Sequence, residues 1–395
     1  MNDSLPIAVA SSPYARNVST SGVSIIIPAH NADATLDATL NSVLSQSHPV
    51  WEAVIINDGS GDATQATADR WTHRDRRFRV LHQAKSGVSE ARNRGLREAR
   101  YTFVLFLDSD DRIAPTHLER MVGLLLANPT LDAVHCGWQR ILPSGILRPP
   151  HLGPVQEDLF EYLAFQAIFA IHACILRRDL AIAVGGFDTS LVTCEDWDFF
   201  QRVARAGARF GCVPEVLAYY CVRANSASQD SQRYLTDART VLDRGHARDP
   251  RMRSAGQVHA EGRDPAYRNL ALCYLVTYLA AQEIGAGRGG LGLLDAENFP
   301  IAPDLSAEAV ASIIQEPLLT AAHRSEEEWP ALLSQANAPL AAFLARFEAQ
   351  TRAPALAFAT LRQLEKSGAA RPSRQRSAPL GEDLPGECRF GETGP

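Results

Sequence analysis

Nothing in this 395-residue chain is apolar for long enough to cross a membrane. Its most apolar stretch, Leu270 to Ala281, is short and interrupted by Tyr and Thr, whereas a spanning helix needs roughly twenty residues. It reads as a buried helix. An excess of basic charge is missing too: 39 Lys and Arg against 45 Asp and Glu give 39 − 45 = −6. That argues against a nucleic-acid partner held by phosphate neutralisation, a local basic cleft aside. Cysteine is sparse, with seven residues, an odd number, and no CxxC pair. A zinc ribbon and a disulfide framework are therefore not expected, and buried reduced thiols in a reducing compartment are. The chain has no GK[ST] element, which excludes a P-loop, and no repeat at a fixed period. The first twenty residues lack a basic start and a long apolar run, so no secretory signal is read there. The expectation is a soluble, cytoplasmic protein.

What is present is ordinary globular composition, 46% hydrophobic and 21% charged, over a length about two and a half times that of a typical domain. From Val23 onward, short β-branched runs alternate with polar helical segments. The apolar runs are Val23–Pro28, Ala53–Asp58, Phe78–His82 and Thr102–Asp108. Between them, Thr35–Ser45, Ala63–Trp71 and Val88–Arg100 carry apolar positions three or four apart. Continuous apolar strands alternating with helices indicate a mostly parallel α/β sheet covered on both faces. In such sheets ligands bind beyond the carboxyl ends of the strands. After Arg223 the texture changes to a polar, Arg-rich segment from about Tyr234 to Gly262. Ala-rich helical stretches follow at Pro265–Ile284, Ser306–Ala322, Pro339–Ala349 and Pro354–Glu365. The division expected is a disordered start over residues 1–21, an α/β domain over 22–230, a helical C-terminal region over 231–366 and a disordered tail over 367–395.

The polar groups at the strand ends carry the chemistry. Asp108-Ser109-Asp110-Asp111 follows the apolar run Phe103–Leu107 directly. Carboxylates at i and i+2 on an extended exit point the same way, so Asp108 and Asp110 are expected to approach one hard cation, Mg²⁺ or Mn²⁺. Asn57-Asp58-Gly59-Ser60 ends another strand and is by itself a turn sequence. Lys85 to Gly95 places a glycine and three basic side chains around a helix start, which suits an anion; taken singly, a capped and solvated helix accounts for it as well.

In their order and spacing, Ile26-Ile27-Pro28-Ala29-His30-Asn31, Asn57 to Ser60, Ala91-Arg92-Asn93 and Asp108 to Asp111 resemble family 2 glycosyltransferases of the Rossmann-like GT-A fold. Gly185-Gly186-Phe187-Asp188 and Cys194-Glu195-Asp196-Trp197-Asp198 extend the resemblance, which covers residues 22 to 230. It implies transfer of a sugar, with inversion, from a nucleotide-diphosphate sugar to an acceptor hydroxyl of a surface glycan or other glycoconjugate. UDP is the favoured nucleotide. Pro28, Asn31 and Asp58 would line the nucleoside pocket, and Arg92 would reach the base or diphosphate. Asp108 would hold the nucleotide and Asp110, with Asp108, the divalent cation. The acceptor would be a glycan, a lipid-linked sugar or a peptide, with peripheral contact at the inner face of a membrane.

An inverting displacement needs a carboxylate opposite the leaving group. The resemblance points to Asp196, with Glu195 as the fallback; an acidic first turn on its own would equally complement the helix dipole. Over Glu195 to Ala206, Trp197, Phe200 and Ala204 are expected on a buried face and Glu195, Asp198, Arg202 and Arg205 on a solvated one. Where many relatives carry a histidine after this helix, Arg223 stands here. An arginine cannot ligate a cation but can grip a diphosphate. The QxxRW signature of processive members is absent, so a single-addition transferase is expected. The alternative from another class is a non-catalytic nucleotide-sugar-binding scaffold on the same fold. A sugar nucleotidyltransferase would need a Gly-rich basic loop where Pro28-Ala29-His30-Asn31 stands.

Overall fold

The computed structural model describes residues 21–223, 230–252, 258–295, 301–302 and 304–367. The expected disordered ends, apart from Ser21 and Ser367, lie outside the described residues, as does Cys388. The first half winds β1 (Val23–Ala29), α1 (Asp33–Leu44), β2 (Trp51–Asp58), α2 (Thr64–Arg74), β3 (Phe78–Gln83), α3 (Val88–Glu98) and β4 (Phe103–Phe106). β1 and β2 are buried at every position. This is why their sequences run apolar without alternation: both faces of the sheet are covered.

Beyond β4 come β5 (Arg112–Ile113), α4 (His117–Ala127), β6 (Ala133–Ile141), α5 (Phe160–Phe165), β7 (Cys174–Arg177), α6 (Arg178–Ala183), α7 (Glu195–Arg205) and β8 (Phe210–Cys221). The eight strands form one sheet in the order β3-β2-β1-β4-β7-β6-β8-β5. β3, β2, β1 and β4 pair in parallel, as do β6 and β8, while β7 and β5 run antiparallel to their neighbours. The parallel register brings the carboxyl ends of β1, β2 and β4 to one edge of the sheet. The loops holding Asn31, Asp58 and Asp108 all leave from that edge.

The C-terminal region contains α8 (Ser231–Gly245), α9 (Ala266–Gly285), α10 (Ala307–Ala321), α11 (Trp329–Thr351) and α12 (Leu356–Ser367). Two expectations need correction. The Arg-rich segment read as merely polar opens with α8, whose Leu235, Ala238, Val241 and Leu242 are buried at helical spacing. The helix expected over 339–349 starts ten residues earlier, with Pro339 in its interior. An interior proline costs a helix about 3 kcal/mol. Here Leu332, Leu333, Ala336, Leu340, Phe343, Leu344 and Phe347 bury on both sides of it, and burying such side chains contributes about 1.5–3 kcal/mol each. Packing wins. One apolar core extends from Val23 in β1 to Leu364 in α12, and α8 and α9 pack on α5, with α8 also on α7, so the helical region is joined to the first half rather than standing apart. None of the described helices is long and apolar enough to cross a membrane.

Candidate active site

The loop after β1 and the loop after β2 are stitched together. Asn31 adopts a left-handed backbone, φ 50°. Its N–H donates to Ser60 Oγ at 3.1 Å, and its Oδ1 accepts from Gly61 N–H at 2.9 Å. His30 Nδ1 lies 2.8 Å from the carbonyl of Asp58. Pro28 is buried within β1, in register with Ile56 of β2. Gly59, at φ 65°, has no room for a Cβ, which would lie 2.6 Å from the Lys85 nitrogen.

Asp58 was expected to face a ligand, but its side chain is buried and engaged. Oδ1 accepts from Gln83 Nε2 and Ser86 N–H, and Oδ2 from Gly87 N–H, each at 2.8 Å. It therefore shapes the loop that starts α3. Arg92 is also engaged by protein rather than facing a ligand. The guanidinium is 3% exposed, donating from Nη2 to Asp108 Oδ1 and from Nη1 to Glu195 Oε1, both at 2.6 Å. Burial alone would lower its pKa; the charges of Asp108 and Glu195 outweigh that and raise it. Next to it, Asn93 accepts from Phe187 N–H at 2.7 Å and donates to Phe187 O at 2.9 Å. A Cβ at Gly186, φ 66°, would collide with Asn93 Oδ1 at 2.4 Å. One turn of α3 thus ties the Asp108 loop, the Gly185–Asp188 loop and the start of α7 together.

The exit from β4 is not extended. Ser109 and Asp110 form a turn closed by Asp111 N–H donating to Asp108 O at 3.1 Å. Asp108 and Asp110 still face each other electrostatically: burial first, then the charge of Asp108, raises the Asp110 carboxyl, while Arg223 pulls it back. Arg223 Nη1 reaches Asp110 Oδ2 at 3.1 Å. Asp111 turns inward, accepting from Cys221 N–H at 2.8 Å and lying 3.2 Å from His172 Nδ1. No group of three His, Cys, Asp or Glu side chains able to hold a metal is present among the described residues. Two partly open carboxylates, with the charge of Asp108 helping to raise Asp110, nevertheless suit a hard cation whose other ligands are phosphate oxygens and water.

Helix α7 corrects the expected solvated face. Trp197, Phe200 and Ala204 are buried as expected, but so are Glu195, Asp198, Arg202 and Arg205. Their charges are paired inside the protein. Asp198, 0% exposed, accepts from Arg202 Nε at 2.9 Å, Arg244 Nη1 at 2.8 Å, and Arg251 Nη1 and Nη2 at 3.1 and 2.8 Å. Arg205 donates to the carbonyls of Arg244, Ala247, His259 and Ala260. Sequence periodicity missed this because α8 and the segment after it supply the partners.

Asp196 is partly open and has a different environment from Glu195. Its Oδ1 accepts from Trp197 N–H at 2.7 Å. Burial first, then the neighbouring Glu195 charge, lifts its carboxyl to about 7, against the pull of Arg92. Glu195 is gripped by Arg92, whereas Asp196 is poised to exchange a proton near neutrality.

Residues 24–184 match the family described as glycosyl transferase family 2. Over this stretch the chain is similar to glycosyl transferase family 2. The uncharacterized glycosyltransferase EpsJ of Bacillus subtilis (strain 168) is 36% identical over 220 residues, 52% of this chain and 63% of EpsJ. The UDP-Glc:alpha-D-GlcNAc-diphosphoundecaprenol beta-1,3-glucosyltransferase WfgD of Escherichia coli is 36% identical over 107 residues, 27% of this chain and 42% of WfgD. The chain thus spans less than two thirds of these relatives' lengths. Among solved structures, S. aureus TarS 1-349 superposes with a TM-score of 0.50 at 16% identity, covering 84% of this chain and 90% of that one. That likeness is one of fold: a GT-A-like sheet with a helical C-terminal region, as expected from the sequence.

Proposed function

We propose that this protein is a metal-dependent, inverting, single-addition family 2 glycosyltransferase that moves a sugar from a UDP-sugar to the hydroxyl of a glycan, lipid-linked or other glycoconjugate acceptor. The observation that carries the proposal is the Arg92 bridge. It sets the first carboxylate of the Asp108–Asp110 pair beside the start of α7, where Asp196 has its carboxyl lifted to about 7. A scaffold protein has no use for such a group. The UDP-sugar named for WfgD favours UDP, and the putative teichuronic acid biosynthesis glycosyltransferase TuaG of B. subtilis, 38% identical over 105 residues, favours a surface glycan.

In this scheme the loops after β1 and β2, with Pro28, Asn31 and the Asp58-shaped turn, cradle the nucleoside. Asp108 and Asp110 would hold a divalent cation, Mn²⁺ or Mg²⁺, which would supply neutralisation of charge on the departing diphosphate. Arg223, beside Asp110, would grip the diphosphate. The acceptor oxygen attacks the anomeric carbon as the bond to the diphosphate breaks, and its proton passes to Asp196. Glu195, held by Arg92, keeps Asp196 basic through its charge. The division into a catalytic domain over 22–230 and a helical region over 231–366, and a cytoplasmic site of action at the inner face of a membrane, belong to the same proposal.

The test is a thermal-shift panel of UDP, GDP and dTDP and their sugars, with and without Mn²⁺, followed by release of nucleoside diphosphate. A ligand at a hundred times its Kd stabilises by about 2.7 kcal/mol. Mn²⁺-dependent stabilisation by UDP and turnover of a UDP-sugar are expected. Binding without turnover in the presence of sugar acceptors would favour the scaffold instead.

A further inference from the structure

The loop leading into α7 is held by an acidic residue of the C-terminal region that no sequence motif marks. Asp237, on α8, is buried, and one of its oxygens, Oδ2, gathers four donors. These are Val192 N–H at 3.1 Å, Thr193 N–H at 2.9 Å, Thr193 Oγ1 at 3.0 Å and Arg233 Nε at 3.1 Å. The next residue, Cys194, directs its thiol to the carbonyl of Tyr234, also on α8, at 3.9 Å. So α8 grips three consecutive residues, 192 to 194, immediately before the two carboxylates of α7.

That grip has a conformational task. Cys194 sits at φ 60°, ψ 14°, a left-handed conformation at the N-cap of α7. For a residue with a Cβ this conformation is strained, and such strain persists only where the surroundings over-determine it. Relaxing Cys194 to negative φ would swing the first turn of α7, and with it Asp196. Three hydrogen bonds from the loop to a carboxylate, each stronger than one to a neutral acceptor, hold it. Burial would raise the Asp237 carboxyl; the donors from Thr193, Arg233 and Val192 outweigh that and hold it below the ordinary value, so it stays charged.

We propose that Asp237 is a positioning residue for sugar transfer: it fixes the strained Val192–Cys194 entry to α7 and so aims Asp196 at the acceptor. This rests on the function proposed above and assigns the C-terminal region a part in the chemistry.

The experiment uses the full chain, with UDP-glucose and Mn²⁺ as probe and UDP release as readout, alongside UDP affinity by titration calorimetry. Asp237→Ala is expected to lower kcat at least tenfold with UDP affinity within twofold of the parent. Asp237→Asn keeps an oxygen with two lone pairs for the Val192 and Thr193 N–H groups, and is expected to return kcat to within about threefold. Thr193→Val, which removes one donor at constant size, is expected to show a smaller fall in kcat and is decisive should the alanine variant not fold. Unchanged kcat in Asp237→Ala, or in Thr193→Val where the alanine variant does not fold, overturns the inference; so does equal loss in the asparagine and alanine variants, or parallel loss of UDP affinity. A parent protein silent towards UDP-, GDP- and dTDP-sugars with every acceptor overturns the transferase assignment itself, which separates the two failures.

Discussion

Arg92 Nη1 lies 2.6 Å from Glu195 Oε1, although 103 residues separate them in the chain. The other end of the same guanidinium holds Asp108. A buried cation shared by two carboxylates commits all three groups at once: removing one partner of a buried pair typically costs 3–5 kcal/mol, because the remaining charge is left unpaired.

Arg92→Met is therefore expected to lower stability by about 3–5 kcal/mol, read as a shift of the denaturant midpoint. Adding Glu195→Gln to Arg92→Met should recover part of that loss, since one unpaired carboxylate disappears. Strict additivity of the two substitutions would contradict a direct pair.

Asp196→Asn is expected to bind UDP as the parent does and to lose turnover by about two orders of magnitude or more, the usual weight of a general base. In the parent, turnover should rise with pH through about 7 as the carboxyl deprotonates. Stability has the opposite sign. The folded pKa is raised above the ordinary value of 3.8, so between 3.8 and about 7 the folded state binds more protons than the unfolded one, and stability falls as pH rises across that window. Asp196→Asn should flatten that fall, measured by denaturant titrations at pH 5 and pH 8.

In the proposed site, the Arg223–Asp110 ion pair would set cation and arginine in competition for one carboxylate. Arg223→Gln is expected to bind Mn²⁺ alone several-fold more tightly and UDP in the presence of Mn²⁺ several-fold more weakly, both by calorimetry. Asp110→Ala should abolish the Mn²⁺-dependent part of thermal stabilisation by UDP. Unchanged Mn²⁺ dependence in Asp110→Ala would remove the cation from this position.

Gly186→Ala places a Cβ 2.4 Å from Asn93 Oδ1 at a φ of 66°. The left-handed conformation alone costs roughly 1–2 kcal/mol, and the collision breaks the paired hydrogen bonds between Asn93 and Phe187. A loss of about 2–4 kcal/mol is expected from denaturant unfolding, with Asn93→Ala losing less because it makes no clash.

Much of this was legible in the chain itself. The alternation of apolar runs and helical segments located β1 to β4 and α1 to α3 within a few residues, because a parallel sheet buried on both faces demands unbroken apolar strands. The acidic and asparagine-rich strand ends then marked the edge where ligands gather. Illegible were the partners. Asp198, Arg202 and Arg205 read as solvated because charge at helical spacing usually faces water; Arg244 and Arg251, more than forty residues away, bury Asp198 by neutralising it.

Local sequence determined which residue types stand at each strand end, since periodicity and turn chemistry act over a few residues. Only the folded arrangement decided which of those side chains stay partly open and which hold one another. Asp58 shapes a loop, Arg92 bridges two carboxylates, and Asp196 is lifted to about 7 while Glu195 is clamped. The physical reason is that burial and pairing are set by groups brought together across long stretches of chain, and a charge changes its role entirely according to whether it finds a partner or water.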